Sequence, residues 1–493
     1  MEEIDRRELI VHGGRLVAAG AAVALGLPPP AGAVGSGALD ELATALRGPL
    51  FRPGRPGYRQ ARTPWNVRFG DVLPRAVAQP LDTADVRAIV RWAEKHEVRV
   101  AVRSGGHSYA GLSSTTGLLV DLRRLSAITV SQDGRATIGA GARLGQVYAT
   151  LWAAGRRTIP AGSCPTVGIA GLTLGGGHGF ASRAFGLACD SLRAVRIVTA
   201  DGQAQDVSAG SHPNLFWALR GGGAGSFGIV TRLTFATRTV GTVTTFALRW
   251  PWEAAADVVA AWDAFMAAAP DRLSSVLALR VPQTVGGTPT VAVNGMVLGK
   301  KPVAAATLSA LTGGQPKPSE AALVERTYAS ATTYFAGGQS ERRRIAGSSR
   351  VARAPLGPAG REALVQAVEA RHADPRLRGG GVVLFAFGGA VGRVGRRATA
   401  YVHRDARFSV ELLGLWSSPS PVVETANLGW VRHARLALAP FTSGESLQNY
   451  ADLGLGGWKR AYYAENLERL VQTKHAVDPT NRFRHAQSVP TTL

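Results

Sequence analysis

The sequence predicts an α+β protein built from more than one lobe. Its 493 residues are too many for one ordinary hydrophobic core. The first half mixes helical periodicity with short strands, whereas the part from Gly241 onward alternates strands with longer helical runs. Hydrophobic residues make up 45% of the chain and charged residues 18%, which is the balance of a folded globular protein.

The first half predicts a helix followed by a strand. Residues 80–98 carry an N-cap candidate, Asp82 or Thr83, and then apolar residues at helical spacing; residues 99–102 are rich in β-branched residues. The other elements expected in this half are two strands and a helix, over residues 118–122, 136–138 and 144–154.

The second half predicts an α/β lobe in which helices cover one face of a sheet. Strands are expected over residues 244–250, 291–298, 381–388, 399–403 and 408–413, with a helix over residues 254–269. A final amphipathic helix over residues 466–477 is stopped by Asp478 and Pro479.

The formal net charge of +22 raises the question of a polyanionic partner. The arginines are scattered through apolar segments, without a zinc-finger spacing or a basic stripe interleaved with aromatic residues. We therefore interpret them as solvated surface and expect no nucleic-acid partner. No cluster of ligands indicates a metal site.

The first 33 residues are typical of a cleavable export signal. Arg6 and Arg7 precede an apolar stretch over residues 16–27, which is too short to span a bilayer, and a small-x-small tripeptide follows at residues 31–33. The paired arginines favour the twin-arginine route, so we expect an exported protein. No other segment predicts a membrane span.

Glycines cluster between Gly162 and Gly228, and two of their motifs resemble known loops. Residues 223–228 spell G-x-G-x-x-G, but they lead from a predicted helix (215–219) into a predicted strand (229–235), the reverse of a dinucleotide-binding turn. A hydrolase nucleophile at Ser226 fails the same strand-turn-helix requirement.

Two further loops hold candidate reactive side chains. Residues 102–109 run from a strand end through small residues to His107, and backbone amides in such a turn suit a diphosphate. Cys164 lies in a second glycine-rich loop, where surrounding amides favour a thiolate with a lowered pKa. The alternatives are a buried apolar cysteine or a disulfide with Cys189, the only other cysteine.

Six motifs, taken in order, resemble the berberine-bridge-type FAD-linked oxidases over residues 65–490. They are Arg-Ser-Gly-Gly-His107-Ser, Cys164-Pro-Thr-Val-Gly, the triple glycine 175–177, Phe227-Gly-Ile-Val230, Asn449-Tyr450-Ala-Asp452 and Asp478-Pro-Thr-Asn-Arg-Phe483. The resemblance implies a two-part FAD-binding domain (residues 69–240), a substrate domain (241–430) and a C-terminal segment that returns to the FAD domain (431–493).

The resemblance also implies that the flavin is attached twice, through its 8α-methyl carbon to His107 and through C6 to Cys164, which argues against a Cys164–Cys189 disulfide. Val167 matches a position where valine accompanies oxidase behaviour. The other cofactor-binding residues that it implies are Arg103, Ser104, Gly105, Gly106, Ser108, Gly168, Gly171, Gly175, Gly176, Gly228, Ile229, Val230 and Asn449.

Three residues are candidates for the base that removes the substrate's hydroxyl proton. Tyr450 matches the tyrosine used in sugar- and alcohol-oxidising relatives, and its phenol needs a lowered pKa to act near pH 7. Glu411 is a candidate base, or a carboxylate that lowers the phenol's pKa through a shared proton; the alternative is a carboxylate on a solvated strand face. His178, where plant relatives carry a tyrosine, is an imidazole that titrates near neutral pH.

These matches imply an exported FAD oxidase that converts a secondary alcohol or sugar hydroxyl to a carbonyl, or a hemiacetal to a lactone, while O2 becomes H2O2. Its substrate is then a small molecule or an oligosaccharide. The alternatives are oxidation of an amine or oxidative ring formation, a non-catalytic flavin- or sugar-binding protein, and a hydrolase.

Overall fold

The computed structural model describes residues 35–284, 286–337 and 341–493. The predicted export signal, residues 1–33, lies outside the described residues. Within them the sequence-predicted α+β architecture is confirmed: two smaller sheets and their helices form a first lobe, and one large sheet with its helices forms a second.

The first lobe holds a four-stranded and a five-stranded sheet. The four-stranded sheet has the order Leu50–Phe51, Ala76–Ala78, Leu118–Asp121, Val100–Arg103, and its last three strands are parallel. The five-stranded sheet is antiparallel, in the order Ile128–Val130, Arg135–Gly139, Ile229–Ala236, Leu192–Val198, Ala204–Ser208. A small ribbon pairs Arg157–Thr158 with Arg238–Thr239.

The helices of the first lobe include the predicted amphipathic helix, which begins at Thr83 and ends at Lys95. The Asp82 side chain caps it by accepting a hydrogen bond from the Asp85 amide at 3.0 Å. The α-helices on this part of the chain are Ser36–Ala45, Tyr58–Arg62, Thr83–Lys95, Leu144–Ala153, Ile169–Leu174, Ser182–Phe185, Ala188–Ser191 and Pro213–Ala218.

The second lobe is built on a seven-stranded antiparallel sheet. Its order is Glu320–Thr327, Thr242–Trp250, Thr290–Leu298, Leu273–Arg280, Gly381–Ala386, Phe408–Trp416, Arg344–Ala352. The remaining α-helices of the described residues are Ala255–Ala268, Lys301–Thr312, Tyr328–Ala336, Pro358–Ala373, Pro421–Ala437, Trp458–Tyr463 and Leu467–Val477. Short 3-10 turns lie at Val67–Phe69, Leu122–Arg124, Trp252–Ala254, Gly389–Val391, Ala439–Phe441, Gln448–Tyr450 and Ala464–Asn466.

The seven-stranded sheet has one face covered by helices and one open face. Along Phe408–Trp416, Val410 and Leu412 are buried in the core shared with the covering helices. The alternate residues Glu411 and Leu413 point the other way, because successive side chains of a strand alternate between faces. This alternation leaves one face of the sheet available to line a site.

The chain's last segment returns to the first lobe. Lys474 is fully buried and donates to the backbone oxygens of Ser226 and Phe483, both at 2.7 Å, while it pairs with Asp478 at 2.5 Å. The His485 ring lies 3.0 Å from the Ala224 oxygen. A buried ammonium is stable only with such partners, so it fixes the tail against the loop that ends at Gly228.

Two sequence-based interpretations are wrong. Residues 399–403 are buried but form no strand, because their amides bond to the end of the helix Pro213–Ala218 and to the loop after it: Ala400 donates to Trp217 O at 3.3 Å and Tyr401 to Arg220 O at 3.1 Å. Several arginines are buried rather than solvated, where they bind backbone oxygens or carboxylates; they are Arg103, Arg183, Arg350, Arg371, Arg404 and Arg435.

Candidate active site

A cavity of about 1000 Å³ lies between the glycine-rich loops of the first lobe and the open face of the large sheet. On the sheet side it is lined by Ala278, Arg280, Asn294, Val383, Phe385 and Glu411. On the other side lie the loops around His107 and Cys164, and the turn that carries Tyr450. A volume of this size suits an organic ligand together with a cofactor's reactive end.

His107 and Cys164 meet at one junction of the cavity wall. The Nε2 atom of His107 lies 2.9 Å from Oγ1 of Thr166, two residues after Cys164, and the imidazole stacks on Trp65 with ring centroids 3.9 Å apart. Burial, and then the nearby Arg143, lower the pKa of His107 to about 3. The ring is therefore neutral, and its Nδ1 atom is the nitrogen left for bonding to a ligand.

The pKa of the Cys164 thiol is raised in the structure, whereas the sequence favours a lowered pKa. Burial and the proximity of Glu411 raise the pKa of its thiol to about 12, against the opposing effects of Ser163 and Arg343. The residue is thus a thiol rather than a resident thiolate near neutral pH. Cys164 and Cys189, both among the described residues, form no disulfide.

Glycine is required where the two loops touch. A Cβ atom on Gly168 would lie 2.0 Å from Oγ of Ser104, and one on Gly105 would lie 2.2 Å from the Gly168 nitrogen. Gly171 is different. It lines the cavity, and a Cβ atom added to it would have no atom of the described residues within 4 Å. The missing side chain leaves space in which a ligand can approach the backbone.

The structure brings most of the predicted cofactor-binding residues to this cavity. Those that line it are His107, Cys164, Ser104, Gly105, Gly106, Ser108, Val167, Gly168, Gly171, Gly175, Gly228, Val230 and Asn449. Arg103, Gly176 and Ile229 do not line it. Arg103 donates instead to the backbone oxygens of Ala61 and Arg62, at 3.2 and 2.8 Å, and so secures the loop from behind.

Tyr450 and His178 form a hydrogen-bonded pair across the cavity wall. The Tyr450 hydroxyl lies 3.0 Å from Nε2 of His178, although 272 residues separate them. Burial, and then Glu411, raise the pKa of Tyr450 well above its usual range, so the phenol keeps its proton. Burial lowers the pKa of His178 to about 4, which leaves a neutral imidazole instead of one that titrates near pH 7.

Glu411 belongs to a separate pair. It accepts a hydrogen bond of 2.7 Å from the hydroxyl of Tyr109, whose ring stacks on that of Tyr450 with centroids 5.6 Å apart. The expected sharing of a proton between Glu411 and Tyr450 is therefore wrong, and so is a lowered phenol pKa. Burial raises the pKa of Glu411, against opposing contributions from Tyr109 and Arg280.

Several residues of the site were missed by the sequence reasoning. The sequence patterns assign no role to Tyr109, which lies in the loop of residues 102–109, or to Arg280, although a charged residue on an apolar strand is a detectable signal. The aromatic residues Trp65, Phe180, Phe335 and Phe385 also line the cavity. Phe180 stacks on Phe335 at 3.7 Å, and Phe385 lies 4.7 Å from the His178 ring.

Comparison with known proteins identifies the class to which this site belongs. Residues 74–208 match the family described as "FAD binding domain", and residues 448–490 match "Berberine and berberine like". An uncharacterized FAD-linked oxidoreductase of Bacillus subtilis, YgaK, is 35% identical over 91% of this chain and 98% of its own.

Solved structures show the same relationship. BBE-like 1 of Physcomitrella patens superposes with a TM-score of 0.84 at 28% identity, covering 92% of this chain and 99% of its own. A xylooligosaccharide oxidase of Myceliophthora thermophila in complex with xylobiose gives 0.82 at 27% identity, with the same coverage. The chain belongs to the berberine-bridge-enzyme-like FAD-linked oxidoreductases.

The residues of this structure fit an FAD. The cavity is large enough for the flavin end of the cofactor. The two glycine-rich loops approach each other closely at Gly105 and Gly168, and Gly171 leaves open space beside the backbone. His107 and Val167 would lie against the flavin end, and Gly228 and Val230 line the part of the cavity next to the tail residue His485. Among the described residues no helix has the length and apolarity to cross a membrane, and no group of metal-binding side chains is found.

Proposed function

We propose that this chain is an exported oxidase that transfers a hydride from a sugar or secondary-alcohol carbon to a doubly attached FAD. O2 is the electron acceptor that reoxidises the FAD and becomes H2O2. The observation that carries the oxidation of a hydroxyl group is the Tyr450–His178 hydrogen bond, set in the wall of the cavity that both attachment candidates line. Export rests on residues 1–33, with their paired arginines and short apolar stretch.

The pair provides a route for the substrate's hydroxyl proton. Because the pKa of Tyr450 is high, the phenolate is not available beforehand, and Tyr450 takes up a proton only as it gives up its own. When the neutral His178 ring is protonated on Nδ1, its Nε2 accepts that proton. The substrate's hydroxyl proton moves to the Tyr450 oxygen as the proton of Tyr450 moves to Nε2 of His178.

FAD, when bound, supplies the two-electron acceptor for the hydride that leaves the same carbon. The chain's contribution is to place that carbon. The stacked Tyr109 and Tyr450 rings and the cluster of Phe180, Phe335 and Phe385 give the substrate region a largely apolar wall. Such a wall with few polar groups orients a ring-shaped substrate and excludes water.

Attachment at both His107 and Cys164 is supported by their common junction. Nε2 of His107 lies within hydrogen-bond distance of Oγ1 of Thr166, which holds the ring beside the loop that carries Cys164. When Nε2 carries the proton, Nδ1 is the unprotonated nitrogen. The neutral state of His107 makes that nitrogen a nucleophile. Two bonds hold the cofactor in an open site, where a large substrate leaves little protein above it.

The pKa of His178 sets the acid side of the pH profile. A histidine with its usual pKa near 6.5 would lose its accepting nitrogen below that pH. Burial lowers the pKa of His178 to about 4, so its imidazole stays neutral, and able to accept, down to about pH 4. We expect kcat to be flat from about pH 5 to 7 and to fall only below about pH 4, in steady-state rates measured on protein whose flavin absorbance is unchanged. An acid limb near pH 6.5 would contradict a neutral, buried acceptor.

The substrate is tested with a panel assayed for peroxide release. It contains xylobiose, cellobiose, free monosaccharides, secondary alcohols and N-methylated alkaloids, supplied to the flavin-loaded protein. We expect the sugars or alcohols to give peroxide with a matching carbonyl or lactone product. If only the amines gave peroxide, the protein would be an amine oxidase and hydroxyl oxidation would be wrong. If no compound of the panel gave peroxide, the proposal would be contradicted.

A further inference from the structure

The charge of the cavity is strongly one-sided. Among the described residues that line it, four are arginines, Arg99, Arg280, Arg343 and Arg484, whereas Glu411 is the only carboxylate. Arg484 lies next to His485, whose ring contacts the loop at Ala224, and Arg484 acts electrostatically on Arg99, so these two arginines belong to the end of the cavity near the chain's tail. Arg280 ends the strand Leu273–Arg280 of the large sheet, and Arg343 directly precedes the strand Arg344–Ala352.

Arg280 stands on an otherwise apolar stretch of the open sheet face. Its neighbours on the strand Leu273–Arg280 that point the same way are Val276 and Ala278, whereas Leu277 and Leu279 are buried in the opposite core. The side chain is half-buried, and among the described residues it is attracted electrostatically by Glu411 and Tyr109 rather than held in a hydrogen bond or ion pair. An arginine in that state is costly in a largely apolar cavity unless a ligand pairs with it.

The register places Arg280 beside the reaction zone. Glu411 pairs with Val383, and Val383 pairs with Ala278, so Glu411 and Ala278 lie on the same face about 10 Å apart across two strand spacings. Arg280 is two residues after Ala278 on the same strand. It lowers the pKa of Glu411, and Tyr109 in turn acts on the pKa of Arg280 by raising it. Arg280 therefore lies on the same face of the sheet as the Tyr109–Glu411 pair.

We propose that Arg280 binds a carboxylate on the substrate, so that the enzyme prefers sugar acids, or sugars linked to a uronic acid, over their neutral counterparts. This inference rests on the proposed oxidation of a hydroxyl group. A guanidinium binds a carboxylate through two parallel hydrogen bonds, which fixes both the orientation and the distance of the ring. Arg343, which pairs with the exposed Glu341 at 3.7 Å, is a second cationic side chain on the sheet side of the cavity.

Glu411 does not prevent such binding. Its pKa is raised by burial, and Tyr109 donates a hydrogen bond to it, so its charge is reduced or satisfied within the wall. The neighbouring polar group on the sheet, Asn294, carries no charge, and no second carboxylate is among the described residues that line the cavity. The local field therefore favours an anionic substrate.

The test compares the flavin-loaded wild type with Arg280→Gln, Arg280→Lys and a matched control, Arg249→Gln. Arg249 lies on the same sheet but is exposed, pairs with Glu320 at 3.5 Å and does not line the cavity. The probes are D-galacturonate and D-glucuronate with their neutral counterparts, D-galactose and D-glucose. Peroxide release gives kcat and KM for each sugar with each variant.

We expect the wild type to favour the acids, and Arg280→Gln to lower kcat/KM for the acids about 10- to 100-fold while changing the neutral sugars less than about threefold. Arg280→Lys should keep part of the preference, and Arg249→Gln all of it. An equal loss for acids and neutral sugars would mean that Arg280 acts through Glu411 or on the fold, and would overturn the inference.

Two other results separate the inference from the proposed function. Neutral sugars oxidised as well as the acids by both wild type and Arg280→Gln would overturn carboxylate binding and leave hydroxyl oxidation standing. Absence of peroxide with all four sugars, together with no activity on the neutral alcohols and oligosaccharides of the larger panel, would overturn both.

Discussion

Replacing Tyr450 by Phe is expected to lower kcat by about 10²- to 10⁴-fold, the range contributed by a positioned proton-transfer group. The substitution removes the hydroxyl that lies 3.0 Å from His178 and leaves the ring, which stacks on Tyr109. The substrate's proton then has no route to the imidazole. The decrease should appear in the rate of anaerobic flavin reduction, while the flavin content of the variant stays the same.

The matched control is Tyr58→Phe, which also removes a buried tyrosine hydroxyl. Tyr58 donates to the Pro74 oxygen at 2.5 Å and does not line the cavity. Its loss should cost about 1 kcal/mol of unfolding free energy and leave flavin reduction unchanged. If Tyr450→Phe and Tyr58→Phe reduced the flavin at similar rates, the proton route through Tyr450 would be wrong.

Most of the regular structure was predictable because it follows from short-range patterns. The helix Thr83–Lys95 has a capping aspartate and apolar residues at helical spacing, and the strand Phe408–Trp416 alternates between the helix-covered core and the cavity. Residues 399–403 show the limit of such patterns. Their buried, β-prone side chains resemble a strand, but the hydrogen-bond partners come from Trp217 and Arg220, which no local pattern reveals.

The site was predictable as a set of loops but not as a set of contacts. The motifs located His107, Cys164 and Tyr450, since each lies in a recognisable run of residues. The partner of each hydroxyl depends on packing between distant segments: Tyr450 reaches His178, and Tyr109 reaches Glu411 from 302 residues away. The pKa values depend on burial, which the same packing between distant segments produces. Local sequence patterns therefore predict neither the raised pKa of Tyr450 nor the lowered pKa of His178.

The other large effect concerns attachment of the cofactor. With two bonds to the flavin, either His107→Ala or Cys164→Ala should leave the chromophore attached through the remaining side chain, and only the double variant should release all of it. Each single change removes one nucleophile without filling the cavity that holds the ring. Cys189→Ala is the matched control, because Cys189 is buried and does not line the cavity.

The measurement that tests the account most directly is to denature the purified protein in acid, precipitate it and record where the yellow chromophore goes. The account predicts colour in the pellet for the wild type, both single variants and Cys189→Ala, and colour in the supernatant for the double variant. Colour released from the wild type would contradict attachment at both residues, and a wild type that carries no flavin at all would contradict the proposed oxidase.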